Sequence, residues 1–326
     1  SVLHPSADAY GGWTDRFPRW PRAARNDRRG GMEPWVVYTV GATVLYGGLN
    51  FLFKAAAERG HDTDGLVSVV GLAVAVMALA TLPFTAARPW AAFTGPVLGF
   101  AFFNGLFFAL GSLTKYGALK RAPAAIVFTL NRLNTLGVVA IGFAFFGETP
   151  RPVQVLGIAA GLGVLAVVAV EQREHVQLSR NSAAGAGIAL ALGSALFTAL
   201  SMTVGKLMAE TPGNRIAYIA ASYALVWLFT GAREAVRRRR SGRPRRRFSP
   251  EMAGFGVAIG ALNYAGYFLV LQAFGSGPIS LSQAIFSSSI VVPILLTRWV
   301  YGEKLTPLRW AALGLALLSV VLIGAK

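Results

Sequence analysis

The chain has 326 residues, of which 54% are hydrophobic and only 14% are charged, and its mean hydropathy is +0.53. Soluble globular domains carry about a quarter charged residues, so this composition excludes an ordinary soluble domain and indicates a polytopic membrane protein. The formal net charge is +17. The sequence contains no Cys, which excludes a disulfide framework and Cys-based metal sites.

The N-terminal segment, residues 1–34, differs from the rest of the chain. It is polar, rich in Arg and interrupted by Pro and Gly, and it contains no apolar core of the kind that a signal peptide needs. We predict that this segment is disordered. We also hypothesise that the natural protein begins at Met32, with the preceding residues lying upstream of its start.

Ten apolar segments follow, each close to the roughly 20 residues that a helix needs to cross the hydrocarbon of a membrane. They are apolar throughout and do not alternate in polarity as barrel strands do. The predicted spans are 35–57, 65–87, 94–117, 122–146, 152–171, 183–209, 215–232, 252–274, 278–300 and 306–325. The sequence therefore predicts an all-α membrane protein with ten transmembrane helices.

The chain repeats its own framework. Each copy carries a Pro, a Glu 25 positions later and a second Pro four positions after that. These residues are Pro123, Glu148 and Pro152 in the first copy and Pro278, Glu303 and Pro307 in the second. Five helices per copy is an odd number, so the second copy must enter the membrane inverted. We predict two inverted five-helix repeats, 35–171 and 183–326, joined by a linker at 172–182.

A second set of repeated residues lies upstream and consists of a Gly, a Lys 13 positions later and a Glu four positions after the Lys. The set occurs as Gly41, Lys54 and Glu58 and again as Gly193, Lys206 and Glu210. Lys54, Lys115, Lys206 and Arg298 lie near helix ends, where we expect long side chains to reach the headgroups. Glu58 and Glu210 are the nearest candidates for a proton-coupling carboxylate.

The repeated turns have roles that follow from backbone chemistry. We predict that Gly147 and Gly302 end a helix in the left-handed conformation, and that a Pro begins the next helix, where a missing N–H is harmless. A capping or bracing role is favoured over ion coupling for Glu148 and Glu303. Gly157 and Gly161 form a GxxxG motif, matched by Ala312 and Ala316, that lets helices approach closely.

Three motifs carry a resemblance to a known family. They are Tyr-Gly-Ala-Leu-Lys-Arg-Ala-Pro-Ala at 116–124, Phe-Gly-Glu-Thr-Pro at 146–150 and Tyr-Gly-Glu-Lys-Leu-Thr-Pro at 301–307. Together they resemble the drug/metabolite transporter superfamily, EamA type, over nearly all of 35–325. The resemblance implies a ten-helix carrier in which helices 1–4 and 6–9 surround a central cavity and helices 5 and 10 lie outside it. It does not name a substrate.

The predicted substrate site centres on Arg132, near the middle of helix 4, where a charge costs about 2.5–3.5 kcal/mol. The guanidinium offers a planar donor fork for a carboxylate or phosphate. The alternative is an Arg that binds carbonyl groups or a glutamate of neighbouring helices for packing alone. Polar residues expected to line the same cavity are Thr129, Asn131, Asn134, Ser280, Gln283, Ser287, Asn50, Tyr46, Asn104, Asn263 and Tyr267.

The sequence favours a secondary transporter of small organic solutes, such as metabolites, amino acids or related carboxylate-bearing compounds, with export as one direction. Alternating access at a midplane cavity between the repeats is the expected mechanism. A drug or lipophilic-cation exporter and a channel or lipid-translocating scaffold remain as alternatives. An enzyme is disfavoured, because the three His residues lie in the tail or loops and no metal-ligand spacing occurs. We expect no cofactor and no metal.

The basic loop, residues 233–249, contains nine Arg residues. Cytoplasmic loops carry the excess of Lys and Arg, so we predict that this loop is cytoplasmic and that both termini lie outside, in the cell (plasma) membrane. That topology is reversed relative to common members of the superfamily. The loop is expected to contact anionic lipid. A nucleic-acid partner is not expected, and the oligomeric state is left open.

Overall fold

The computed structural model describes residues 33–61, 63–119, 121, 127, 130–131, 133–173, 182–241, 249–302 and 306–325. Within these ranges the chain forms helices and short connections, without strands. The first repeat contains α1 (Pro34–Glu58), α2 (Thr63–Thr81), α3 (Gly95–Leu119), α4 (Leu133–Phe145) and α5 (Pro152–Arg173). The second contains α6 (Ser182–Glu210), α7 (Arg215–Ser241), α8 (Pro250–Ser276), α9 (Ile279–Ser287), α10 (Val291–Tyr301) and α11 (Pro307–Gly324).

The described helices match the ten predicted spans. Eight are long and apolar enough to cross a membrane, with α9 and α10 counted together as one span, 279–300. The remaining two spans contain the shorter apolar helices 133–145 and 152–167. The predicted class, an all-α membrane protein of two inverted five-helix repeats, is confirmed.

Two helices depart from the predicted boundaries. The ninth span is interrupted by a 3-10 turn at Ser288–Ile290. Pro293 lacks the N–H that would bond the carbonyl four residues earlier, and Ser287 Oγ donates to Ala284 O at 2.6 Å, competing with the helical pattern. Helix α7 continues to Ser241, so the predicted start of the basic loop at 233 is wrong, because Arg, Ala and Glu are good helix formers.

The closely packed helix pairs join a helix of the first repeat to a helix of the second. Helix α1 packs against α8, and their counterparts, α6 and α3, pack against each other in the same way. Helix α2 packs against its own counterpart α7, α4 against α9, and α5 against α11. Two repeats related by a two-fold axis produce this set of pairs. The fold therefore brings the second, fourth and fifth helices of one half against the same helices of the other half around one axis.

Small residues let α5 approach its neighbouring helices closely. A Cβ added at Gly157 would lie 2.6 Å from Ile323 Cγ1, and one added at Gly161 would lie 2.7 Å from Ala284 O. Ser319 Oγ donates to Gly157 O at 2.8 Å across the same contact. The predicted close approach at the GxxxG motif is confirmed, and it holds α5 against α9 and α11.

The turns between helices have the predicted backbone. Gly147 has φ +60° and Gly302 has φ +67°, the left-handed conformation that Gly adopts without steric cost. Pro152 and Pro307 are the first residues of α5 and α11. Thr306 caps α11, because its hydroxyl accepts from a backbone N–H of the first turn.

Candidate functional site

A small cavity lies where α1 of the first repeat meets α6, α8 and α9 of the second. Its volume is about 10 Å³, the space that one water molecule needs. The lining residues are Thr39, Met202, Val270, Ala273, Phe274, Ser282, Gln283 and Phe286. In this conformation the cavity is too small for an organic solute.

Three polar side chains face this cavity. The Thr39 hydroxyl donates to Trp35 O at 2.7 Å. The Ser282 hydroxyl is buried, and within the described part of the chain it has no hydrogen-bond partner. A buried hydroxyl without a partner is costly, so a polar group of a bound solute, or a water molecule, is a suitable partner for Ser282.

Gln283 connects the cavity to the first repeat. Its Nε2 lies 3.5 Å from Thr135 Oγ1 on α4, at the long limit of a hydrogen bond. Thr135 in turn lies 3.4 Å from Asn134 Oδ1. These long contacts between α9 and α4 are weak hydrogen bonds, so they leave the Gln283 amide able to bond to another group.

A buried Asn on the third helix of each repeat bonds to the first helix of the other repeat. Asn263 Oδ1 accepts from Tyr46 Oη at 3.2 Å, and Asn104 Oδ1 accepts from Ser201 Oγ at 2.6 Å. Both Asn residues are less than a tenth exposed. The two bonds join corresponding pairs of helices, and they connect the halves inside the bundle.

Tyrosine hydroxyl groups extend both of these bonds. Tyr223 Oη donates to Asn263 Oδ1 at 2.9 Å, and Tyr267 Oη donates to Asn104 Oδ1 at 3.3 Å. Tyr218 Oη lies 3.1 Å from Tyr267 Oη. The rings of Tyr223 and Tyr267 also meet edge to face, with centroids 6.0 Å apart. This arrangement satisfies buried polar groups whose desolvation would otherwise be costly.

One end of the bundle carries a set of charged contacts that we name the ionic latch, formed by Glu148, Lys206 and Glu210. Lys206 Nζ donates to Phe274 O at 2.7 Å and to Gly277 O at 2.9 Å, and it pairs with Glu210 Oε1 at 2.7 Å. Its side chain is 6% exposed. The prediction that Lys206 extends to the headgroups is therefore wrong. It neutralises the negative C-terminal end of α8 instead.

Glu148 lies at the start of α9, on the other side of the short link that joins α8 to α9. Its carboxylate accepts from the backbone N–H of Ile279 at 2.6 Å and of Ser280 at 2.9 Å. The structural role predicted for Glu148 is confirmed, but the helix it caps is α9, which belongs to the other repeat. Glu303, its repeat counterpart, lies outside the described residues.

A sequence model of the EamA-like transporter family matches residues 33–170 and matches again over 185–325. The chain belongs to this family. The two matches coincide with the two repeats, and the family membership identifies the protein as an integral membrane transporter of small solutes.

Comparison with solved structures gives the same fold for this EamA-like transporter. A crystal structure titled "Crystal structure of protein" aligns with a TM-score of 0.69 at 18% identity, covering 88% of this chain and 95% of that chain. No curated protein matches the sequence. At this identity the structural likeness shows the fold alone.

The predicted site residues of this EamA-like transporter fall into separate groups. Tyr46 with Asn263 and Asn104 with Tyr267 form the buried network, Gln283 reaches the cavity, and Asn134 lies next to it through Thr135. The remaining predicted residues have other surroundings.

Arg132 and Thr129 lie outside the described residues. Asn131 Oδ1 accepts from Ser194 Oγ, and Asn50 is half-buried on α1. Ser280 is buried beside Gly142, and the Ser287 hydroxyl donates to Gly161 O and Ala284 O.

Several residues of the site were missed by sequence reasoning. Tyr218 and Tyr223 lie inside an apolar span, and Thr39, Ser201 and Ser282 are small hydroxyl residues of a kind found throughout these helices. The predicted site residues Ser280, Gln283 and Ser287 share one face of helix 9 and Ser282 lies off that face, so periodicity alone pointed away from it. Tyr223, near the middle of the span 215–233, was the available signal, since Tyr usually favours the membrane interfaces.

Proposed function

We propose that this EamA-like transporter is a secondary carrier of small organic solutes that bear a carboxylate, such as metabolites or amino acids, and that it works by alternating access. The observation that supports this most directly is the cavity between α1 of one repeat and α6, α8 and α9 of the other. Inverted repeats with a site at their interface are the general arrangement for such carriers. The Ser282 hydroxyl, which has no hydrogen-bond partner among the described residues, and the Gln283 amide offer neutral hydrogen bonds to the solute.

A cationic group is still needed for the carboxylate, and Arg132 is the residue we propose for it. In the sequence Arg132 lies within the predicted span 122–146, whose described helix α4 packs against α9. Its cost at the centre of a helix is offset when an anionic group binds.

A thermal-shift screen on the purified protein tests whether its solute bears a carboxylate. Carboxylate-bearing compounds, screened beside nucleotides and lipophilic cations, are expected to raise the melting temperature of the wild type but not of Arg132→Ala. A ligand at 100 times its Kd adds about 2.7 kcal/mol to stability, which a thermal shift measures easily. Arg151→Ala is the matched control, because Arg151 is exposed in a turn, and it should behave as the wild type. An undiminished shift in Arg132→Ala would contradict the anchor role.

A lipophilic-cation exporter is the second candidate, and the aromatic surroundings favour it. Phe274 and Phe286 line the cavity, and the ring of Tyr46 meets that of Phe286 edge to face at 4.9 Å. Aromatic faces bind cations when water is excluded. Equal stabilisation of wild type and Arg132→Ala by lipophilic cations would replace the carboxylate proposal. Counterflow in liposomes would support a carrier, and unsaturable flux would support a channel.

The proposed membrane topology rests on the nine Arg residues between positions 233 and 249. The first part of this stretch, residues 233–241, belongs to α7. A reporter fused after Lys326 is expected outside the cell, with α7 directing its arginines to the cytoplasm and to anionic lipid. Enzymatic reporters that are active on only one side of the plasma membrane measure this. A cytoplasmic signal from the Lys326 fusion would refute the reversed topology.

A further inference from the structure

We propose that the start of α9 is a carboxylate-binding site of this transporter, occupied by the Glu148 side chain in the present conformation and by the carboxylate of the solute during transport. The inference rests on the carboxylate-bearing solute proposed above. It gives that carboxylate a second binding position, at one end of the bundle and separate from Arg132. Glu148 then acts as a competitor of the solute that is attached to the chain.

A carboxylate is held at the start of α9 by two backbone donors. Glu148 Oε1 accepts from the N–H of Ile279 at 2.6 Å, and Oε2 accepts from the N–H of Ser280 at 2.9 Å. The N-terminal end of a helix carries a partial positive charge. Helix α9 is a half-helix, because the 3-10 turn at Ser288–Ile290 interrupts its span. Transporters with interrupted helices bind anionic groups of their solutes at such ends, so the same two donors suit the carboxylate of a solute.

Ser280 gives a separate indication of a ligand. The residue is 0% exposed, and within the described part of the chain its hydroxyl has no hydrogen-bond partner. Its side chain and Glu148 Oε2 face the same glycine, since a Cβ added at Gly142 would lie 3.0 Å from Ser280 Cβ and 2.7 Å from that oxygen. A buried hydroxyl without a partner is costly. A carboxylate that is not attached to the chain can move towards this hydroxyl and accept a third hydrogen bond from it.

The charges around the site fit one carboxylate at a time. Lys206 Nζ donates to Gly277 O at 2.9 Å, two residues before Ile279, but it is already paired with Glu210 at 2.7 Å. A second carboxylate beside Glu148 would therefore be repelled. The carboxylate of the solute must replace that of Glu148, and such an exchange leaves the net charge and the two charge-assisted hydrogen bonds unchanged.

The displaced side chain has a place to go. Glu148 is half-buried in a turn whose neighbouring residues Gly147, Thr149 and Arg151 are exposed. Rotation of the Glu148 side chain would bring its carboxylate into water, where Arg151, three residues later, can pair with it. From the vacated position the cavity is about one helical turn away along α9, where Gln283 lines it.

The test measures binding of acetate to the purified protein in detergent, by thermal unfolding at constant ionic strength, with acetamide as the uncharged comparison. Glu148→Gln removes the charge of the competitor and keeps one carbonyl acceptor for α9. Half-saturation by acetate is expected at a concentration at least about tenfold lower in Glu148→Gln than in the wild type, because a group on a short linker competes at an effective concentration in the millimolar range. Adding Ser280→Ala to Glu148→Gln should raise the half-saturation again, since acetate loses the hydroxyl donor.

Glu251→Gln is the matched control. It makes the same change in the first turn of α8, where Glu251 forms an exposed pair with Arg59, and it should respond to acetate as the wild type does. Equal half-saturation in wild type and Glu148→Gln, an equal effect of acetamide, or no saturable effect in either protein would overturn the proposal and leave Glu148 as a helix cap. If Glu148→Gln does not fold, Ser280→Ala decides against the wild type, since loss of the acetate response supports the site and an unchanged response overturns it. Acetate replaces the solute and Arg132 stays intact, so failure of this site and failure of the proposed function are separate results.

Discussion

Replacing Lys206 with Met is expected to lower the free energy of unfolding by about 3–5 kcal/mol, the cost of removing one partner from a buried ion pair. The Glu210 carboxylate would lose its cation, and its second oxygen, Oε2, is already buried without a hydrogen-bond partner within the described residues. Phe274 O and Gly277 O would lose their donor as well. Thermal unfolding of the purified variant in detergent measures the effect.

Two comparisons make this expectation specific. The double variant Lys206→Met with Glu210→Gln should recover part of the lost stability, because it leaves no unpaired charge. Arg59→Met removes a cation from an exposed pair with Glu251, whose side chains are 60% and 52% exposed, and should cost no more than about 1 kcal/mol. Equal melting temperatures for Lys206→Met and Arg59→Met would show that the buried pair contributes little.

Glu148→Ala is expected to destabilise the transporter by about 2 kcal/mol, because α9 would lose the acceptor of two backbone N–H groups. The loss acts between the repeats, since the carboxylate belongs to the first and the capped helix to the second. Unfolding of the variant, followed by heating or by denaturant, provides the measurement.

Glu148→Gln separates the charge from the hydrogen bond. A Gln side chain keeps one carbonyl acceptor of the same reach but loses the charge that favours the positive end of α9, so its stability should fall between those of wild type and Glu148→Ala. A Glu148→Ala protein as stable as the wild type would mean that water replaces the cap at no cost.

Local features of this protein were predictable because they depend on neighbours in sequence. Gly147 and Gly302 adopt the predicted left-handed backbone, and Pro152 and Pro307 begin helices. Each of these outcomes follows from the conformations open to Gly or closed to Pro within a few residues.

The site was predicted less completely, because its contacts join residues far apart in the chain. Sequence reasoning selected Asn104 and Asn263 as isolated polar residues. It did not predict that each would bond to the first helix of the opposite repeat, through Ser201 and Tyr46. Side-chain hydrogen bonds between helices depend on which faces meet, and periodicity within one helix does not contain that information.

The sequence by itself determined the class of this protein, its ten spans and its inverted repeats, since apolar length, the spacing of repeated residues and an odd number of helices per repeat decide them. Only the tertiary structure decided the surroundings of its charges. Lys206 and Lys54 occupy the same position in their repeats, yet one is buried against the end of α8 and the other is exposed. Burial and partner geometry decide what a charge does, and both arise from segments that meet only when the chain is folded.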